Sequence, residues 1–131
     1  MKNMLLALLL LLCSLTGPSQ ALNKITKVKI VKNKNAFQLL VNNKPYFIKG
    51  AVGSDYLEKL QQYGGNSIRT GSNPATLDKA HSLGLTALVN LPVRAERDGM
   101  NYDDTSAVRM QHEKVMDIVR KTKDHPAVIM W

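Results

Sequence analysis

The chain has 131 residues, with 44% hydrophobic, 21% charged and 5% aromatic residues, and a net charge of +8. This is a globular composition with room for about one domain, short of the ~250 residues of a closed (β/α)8 barrel. The single cysteine, Cys13, lies in the apolar opening segment, which excludes disulfide scaffolds and thiolate zinc sites from the rest of the chain. So few aromatics argue against a stacking platform for nucleic acid.

Met1–Ala21 has the three parts of an export signal. These are a lysine at position 2, an unbroken apolar run over Met4–Leu12, and small residues at Ser19 and Ala21. The run is too short for a permanent membrane span. A cleaved signal and a secreted or periplasmic location are expected. A lipoprotein is the rival reading of Cys13, disfavoured because bulky Leu12 precedes it.

Residues 22–36 form a basic strand segment. From Leu22 to Gly50 there are seven lysines and no acid, whereas residues 51–131 carry ten basic and ten acidic side chains. All the excess charge after the leader is therefore in the first stretch. Lys27-Val28-Lys29-Ile30 alternates with the period of a half-buried strand. An electrostatic patch for a polyanion is one reading. A solvated edge strand, kept from mispairing by its lysines, is the simpler one.

Phe37–Val41 and Tyr46–Ile48 flank Asn42-Asn43-Lys44-Pro45, which predicts a hairpin because asparagine tolerates positive φ. Ser54 is placed to cap a helix over Asp55–Tyr63, with Leu57 and Leu60 inward and Gly64 ending it. Asn66–Thr70 reads as a short strand. Asn73-Pro74 starts a second helix that Gly84 closes. Thr86–Leu91 is another strand. Asp103 and Asp104 precede a helix over Thr105–Lys123, whose last turn is basic as the helix dipole favours. Ala127–Trp131 reads as a buried strand. Strands alternating with helices at this spacing predict an α/β fold with a parallel sheet, containing a hairpin, about four parallel strands and three helices.

Five segments in order resemble the opening of the barrel domain of glycoside hydrolase family 2 and its clan A relatives. They are Val41–Gly50 (VNNKPYFIKG), Tyr63–Thr70 (YGGNSIRT), Leu77–Leu91 (LDKAHSLGLTALVNL), Glu96–Asp104 (ERDGMNYDD) and Lys123–Trp131 (KDHPAVIMW). β-1,3-Glucanosyltransferases share much of this opening. The resemblance implies a partial TIM (β/α)8 barrel over residues 37–131, from a secreted retaining glycosidase or transglycosidase acting on an oligo- or polysaccharide. It implies no nucleic-acid partner and no cofactor, and an open barrel edge available for self-association.

Such hydrolysis needs two carboxyl groups about 5–5.5 Å apart, one as nucleophile and one as acid and then base. In the family, an Asn-Glu pair supplying the acid/base follows the strand matched by Ala127–Trp131, and the nucleophile comes on the seventh strand. Neither glutamate is present here, so no catalytic residue is assigned and the chain alone is expected to be inactive. The resemblance implies that Arg69, at the end of its strand, supports the active site. An arginine there favours a neighbouring carboxylate in its charged form. Asn90, also at a strand end, and Glu96, in the following loop, are further candidates for substrate contact.

Glu96, Asp98, Asp103 and Asp104 lack the spacing of a calcium loop, and His81, His112 and His125 are too dispersed for a local metal site, so no metal is expected. Two alternatives of other classes stay open. One is a non-catalytic carbohydrate-binding remnant. The other is a small complete α/β envelope protein that holds an anionic polymer on its basic segment.

Overall fold

The structure, a computed structural model, describes residues 26–131. The expected export signal over residues 1–21, with Cys13, lies outside the described residues, as does Lys24.

Two sheets follow each other along the chain. β1 (Val28–Asn33), β2 (Ala36–Val41) and β3 (Lys44–Pro45) form an antiparallel sheet. β1 pairs with β2 from Val28 opposite Val41 to Asn33 opposite Ala36, so the 36/37 boundary, where the resemblance to the barrel begins, falls inside this sheet. The β2–β3 turn forms as its residues dictate, with Asn42 and Asn43 at φ 52° and 64°.

The second sheet is parallel, in the order β4 (Gly50–Val52), β5 (Ser67–Thr70), β6 (Thr86–Val89) and β7 (Val128–Met130). Helices α1 (Leu57–Gln62), α2 (Pro74–Ser82) and α3 (Thr105–Thr122) connect its strands. The expected α/β class, four parallel strands and three helices are therefore present. None of the described helices is long and apolar enough to cross a membrane.

Local chemistry explains most of the boundaries. The Asn73 side chain accepts a hydrogen bond from the Thr76 N–H, with Pro74 at the first helical position. Asp104, rather than Asp103, caps α3 by accepting from Ser106 and Ala107. Gly64 and Gly84, at φ 80° and 69°, end α1 and α2. After each glycine the next N–H returns to a carbonyl five residues back, Gly65 to Leu60 and Leu85 to Ala80, both at 2.9 Å. Leu85 thereby enters the core.

Two expectations need correction. Ser54 does not cap α1. Tyr56 occupies the cap position in the left-handed region at φ 55°, with no side-chain bond, and the helix begins later at Leu57, whose side chain is buried. Tyr46–Ile48 is not a strand either. The parallel sheet begins at Gly50, because the stretch before it turns from one sheet to the other. The Asn66 side chain fastens that turn, accepting from the Lys49 N–H at 2.8 Å and donating to the Phe47 carbonyl at 2.9 Å.

The core lies on one face of the parallel sheet. Ile68, opposite Ala87, and Val89 point to that face and join Leu57, Leu77, Ala80, Leu85, Ala127 and Val128, with Ile118 packed against them. All three helices contribute to this one cluster. The other face carries Gly50, Ser67 and Thr86 in one row and Val52, Arg69 and Leu88 in the next. No described helix contributes to a core there. Gly50 is obligatory in its row, since a Cβ would lie 2.5 Å from the Ser67 carbonyl oxygen.

Tyr46 covers the first row. Its hydroxyl lies 2.9 Å from the Asn66 carbonyl, 3.3 Å from Ser67 Oγ and 3.1 Å from Thr86 Oγ1, and the last two are 2.5 Å apart. The network ties the antiparallel sheet to the parallel one and satisfies Ser67, which is fully buried. Tyr46→Phe is expected to cost about 0.5–1.5 kcal/mol in chemical denaturation, the value of one net hydrogen bond. An unchanged denaturation midpoint would mean the network carries no net stability.

Glu58 on α1 pairs with Lys79 on α2 at 2.5 Å, and this hydrogen bond, more than any other cause, holds its carboxyl below the usual glutamate range. A depressed carboxyl stabilises the fold above its unfolded-state pKa and loses that contribution as pH falls through the folded-state value. The pair is solvent-exposed, so the effect is small and screened by salt. Glu58→Gln should flatten the acid limb of the stability profile slightly at low salt, and the difference should vanish at high salt. A difference that persists at high salt would contradict this origin.

Candidate functional site

Parallel strands all deliver their carboxyl ends to one edge of the sheet, so side chains from adjacent strands converge there although they are far apart in sequence. Arg69 lies on β5 opposite Leu88 on β6, and Asn90 follows β6 by one residue on the same face as Leu88. The Asn90 backbone N–H donates to the Thr70 carbonyl at 2.8 Å, which extends the ladder and fixes the residue's position. Its side-chain Oδ1 accepts from Arg69 Nε at 2.8 Å. Because an arginine nitrogen only donates, the oxygen of the Asn90 amide must face it, leaving the NH2 group as a donor.

Arg69, Leu88, Val89, Asn90, Leu91 and Trp131 line a concavity of about 380 Å³ at this end of the sheet. Trp131, just beyond β7, is held by a hydrogen bond from Nε1 to Thr122 Oγ1 at 2.9 Å. Thr122 is buried and donates to the Ile118 carbonyl at 2.8 Å, so α3 anchors the indole. Trp131 remains 44% exposed, and an aromatic side chain is therefore offered beside the Arg69–Asn90 pair.

Among the described residues no ion pair engages Arg69, and no side-chain carboxylate lines the concavity. Arg69 thus presents the outer guanidinium nitrogens as charged donors, the Asn90 amide adds neutral ones, and Trp131 adds an apolar plane. This set can bind a polyhydroxylated or anionic ligand. It contains no acid, base or nucleophile for bond cleavage.

Arg69 and Asn90, singled out from the sequence, are brought together. Glu96 is not. It sits in a short 3-10 turn, Glu96–Asp98, where its carbonyl accepts from the Gly99 N–H at 2.8 Å. The Arg94 guanidinium holds that turn through the Asp98 carbonyl, while the Arg94 N–H donates to Gln111 of α3 at 2.8 Å. No hydrogen bond or ion pair among the described residues links Glu96 to Arg69 or Asn90.

Sequence reasoning missed two participants. Trp131 reads from the sequence only as a strand residue, although a tryptophan directly after a parallel strand falls at the carboxyl end of the sheet. Tyr46 carried no signal, because its three partners are 20 to 40 residues away.

Of the histidines, His125 makes a structural contact. Its Nδ1 accepts from the Ala127 N–H at 3.2 Å, so Nε2 is the nitrogen that donates to Asp78, also at 3.2 Å. Among the described residues, no group of three or more His, Cys, Asp or Glu could hold a metal ion.

The chain matches no protein-family model and no curated protein sequence.

Proposed function

We propose that residues 37–131 are the first half of a (β/α)8 barrel of the retaining glycoside hydrolase type, and that its Arg69–Asn90–Trp131 end binds an oligo- or polysaccharide. One observation carries the reading. The four parallel strands lie side by side in chain order, with every described helix on one face and two polar residues paired at their carboxyl ends. A barrel segment has this layout, with its functional groups at that end. A doubly wound sheet reverses its strand order and has helices on both faces, so the layout favours the barrel over a small complete α/β protein.

The ligand chemistry supports the same reading. Sugars offer hydroxyls to charged and amide donors and C–H faces to an indole, and the concavity has both kinds of surface. Since no Asp or Glu side chain lines it, binding occurs without turnover in this chain. In a complete barrel, the outer guanidinium nitrogens of Arg69 would meet a carboxylate contributed by a later strand.

Titration with gluco- and galacto-oligosaccharides, read through the fluorescence of the only tryptophan, tests the proposal. The expected result is saturable binding to at least one series with no release of reducing ends. Silence of Trp131 toward both series, or cleavage of either by this chain, would overturn it.

A further inference from the structure

The antiparallel sheet carries a second surface, unrelated to the barrel end. The pairing register puts Val28, Ile30, Lys32, Phe37, Leu39, Val41 and Lys44 on one face. Ile30 and Phe37 there are 66% and 74% exposed, and Phe47, on the segment after β3, is 80% exposed. Phe37 and Phe47 line one hollow of about 400 Å³ together with Leu39 and Pro45.

Lysines neighbour these apolar groups in register or in sequence. Lys32 is directly opposite Phe37, Lys34 is in the β1–β2 turn, and Lys44 and Lys49 bracket Phe47 in the chain. From residue 26 to residue 54 there are six lysines and no acid. None of the six enters an ion pair among the described residues.

We propose that this surface, with Ile30 and Phe37 exposed on the sheet face, Phe47 exposed on the hollow it shares with Phe37, and unpaired lysines along the same segment, docks on the surface of an anionic lipid bilayer. Aromatic and aliphatic side chains enter the headgroup–acyl boundary together, and lysine stems lie along apolar surface while their ammonium groups reach the phosphates. Each lysine close to an anionic leaflet strengthens binding about fivefold. The cationic residues are all lysines, with no arginine before Arg69, so the patch offers point charges rather than the planar forks that read individual phosphates or carboxylates. Ile30 and Leu39 offer nothing to stacked bases. A bilayer uses every group of the patch, whereas a soluble polyanion uses only the lysines.

The test uses the full chain. Because Met4–Leu12 is itself apolar, the probe is placed on the patch, as Phe47→Trp in a Trp131→Phe background. Vesicles of phosphatidylcholine with about 30% phosphatidylglycerol, which gives the surface a negative potential, carry brominated acyl chains that quench an inserted indole. The expected result is quenching by these vesicles, little by brominated phosphatidylcholine alone, and an apparent affinity reduced at least about a hundredfold by Lys32, Lys34, Lys44 and Lys49→Gln together. Circular dichroism of each variant confirms that the sheet is retained.

Equal quenching by neutral vesicles, or quenching that survives the four substitutions, would overturn the proposal. So would an unquenched probe in a chain that binds dextran sulfate equally well with Phe37 and Phe47 intact or replaced by serine, which identifies a polyanion site. A stable dimer that buries the probe in the absence of lipid would also overturn it.

Discussion

Leu77→Ala is expected to destabilise the fold by about 2–5 kcal/mol, the range for removing a leucine from a core that closes only partly around the gap. Leu77 is 1% exposed and projects from the middle of α2 into the cluster containing Ile68, Ala87 and Val89. Two features put the loss toward the upper end. Ala80 and Ala87 are fully buried and too small to move into the gap. The apolar core of the parallel sheet also lies on one face, and Tyr46 covers only a polar row on the other, so no second apolar layer shares the load.

A domain of this size has about 5–15 kcal/mol of stability, so the loss is a large fraction of the total. The thermal midpoint should fall by about 4–8 °C for each kcal/mol lost. Met110→Ala, at a position 54% exposed on α3, is the control and should stay within about 0.5 kcal/mol of the parent. If Leu77→Ala shifts stability no more than this control, α2 is not docked as described.

Arg69→Ala should abolish most of the proposed saccharide binding while leaving stability nearly untouched. A hydrogen bond to a charged donor is worth about 1.5–3 kcal/mol, which corresponds to roughly a ten- to hundredfold weaker affinity. The side chain is exposed and Asn90 is still held through its backbone bond to Thr70, so the fold should lose less than about 0.5 kcal/mol.

Arg69→Lys separates charge from geometry. Lysine keeps the positive charge but lacks the Nε–H that fixes Asn90 and the fork that engages two oxygens together. Its affinity should fall between the parent and the alanine variant. Oligosaccharide titration by Trp131 fluorescence reads all three proteins. An alanine variant that binds like the parent would remove Arg69 from the site, whatever the fold.

The division between what was legible in the sequence and what was not follows the range of the forces involved. The two asparagines of the β2–β3 turn, the Asn73 and Asp104 caps and the helix-ending Gly64 and Gly84 were all readable. Each acts through backbone bonds within a few residues, so neighbouring residue types suffice to specify it. Ser54 was misleading for a related reason. A capping side chain is only a local option, and burial of Leu57 set the start of α1 instead.

The sequence by itself determined the alternation of strands and helices from Asn66 onward and the turn chemistry, while the candidacy of Arg69 came from the family resemblance and that of Asn90 from its place at a strand end. Only the tertiary structure decided that these two touch while Glu96 stands apart, and that Tyr46 seals a row of hydroxyls. It also decided that Lys32, Phe37 and Lys44 share one face of the antiparallel sheet. The physical reason is register. Which side chains meet across strands depends on how the strands are offset, and that offset is fixed by the pairing and burial of the whole sheet rather than by any one segment.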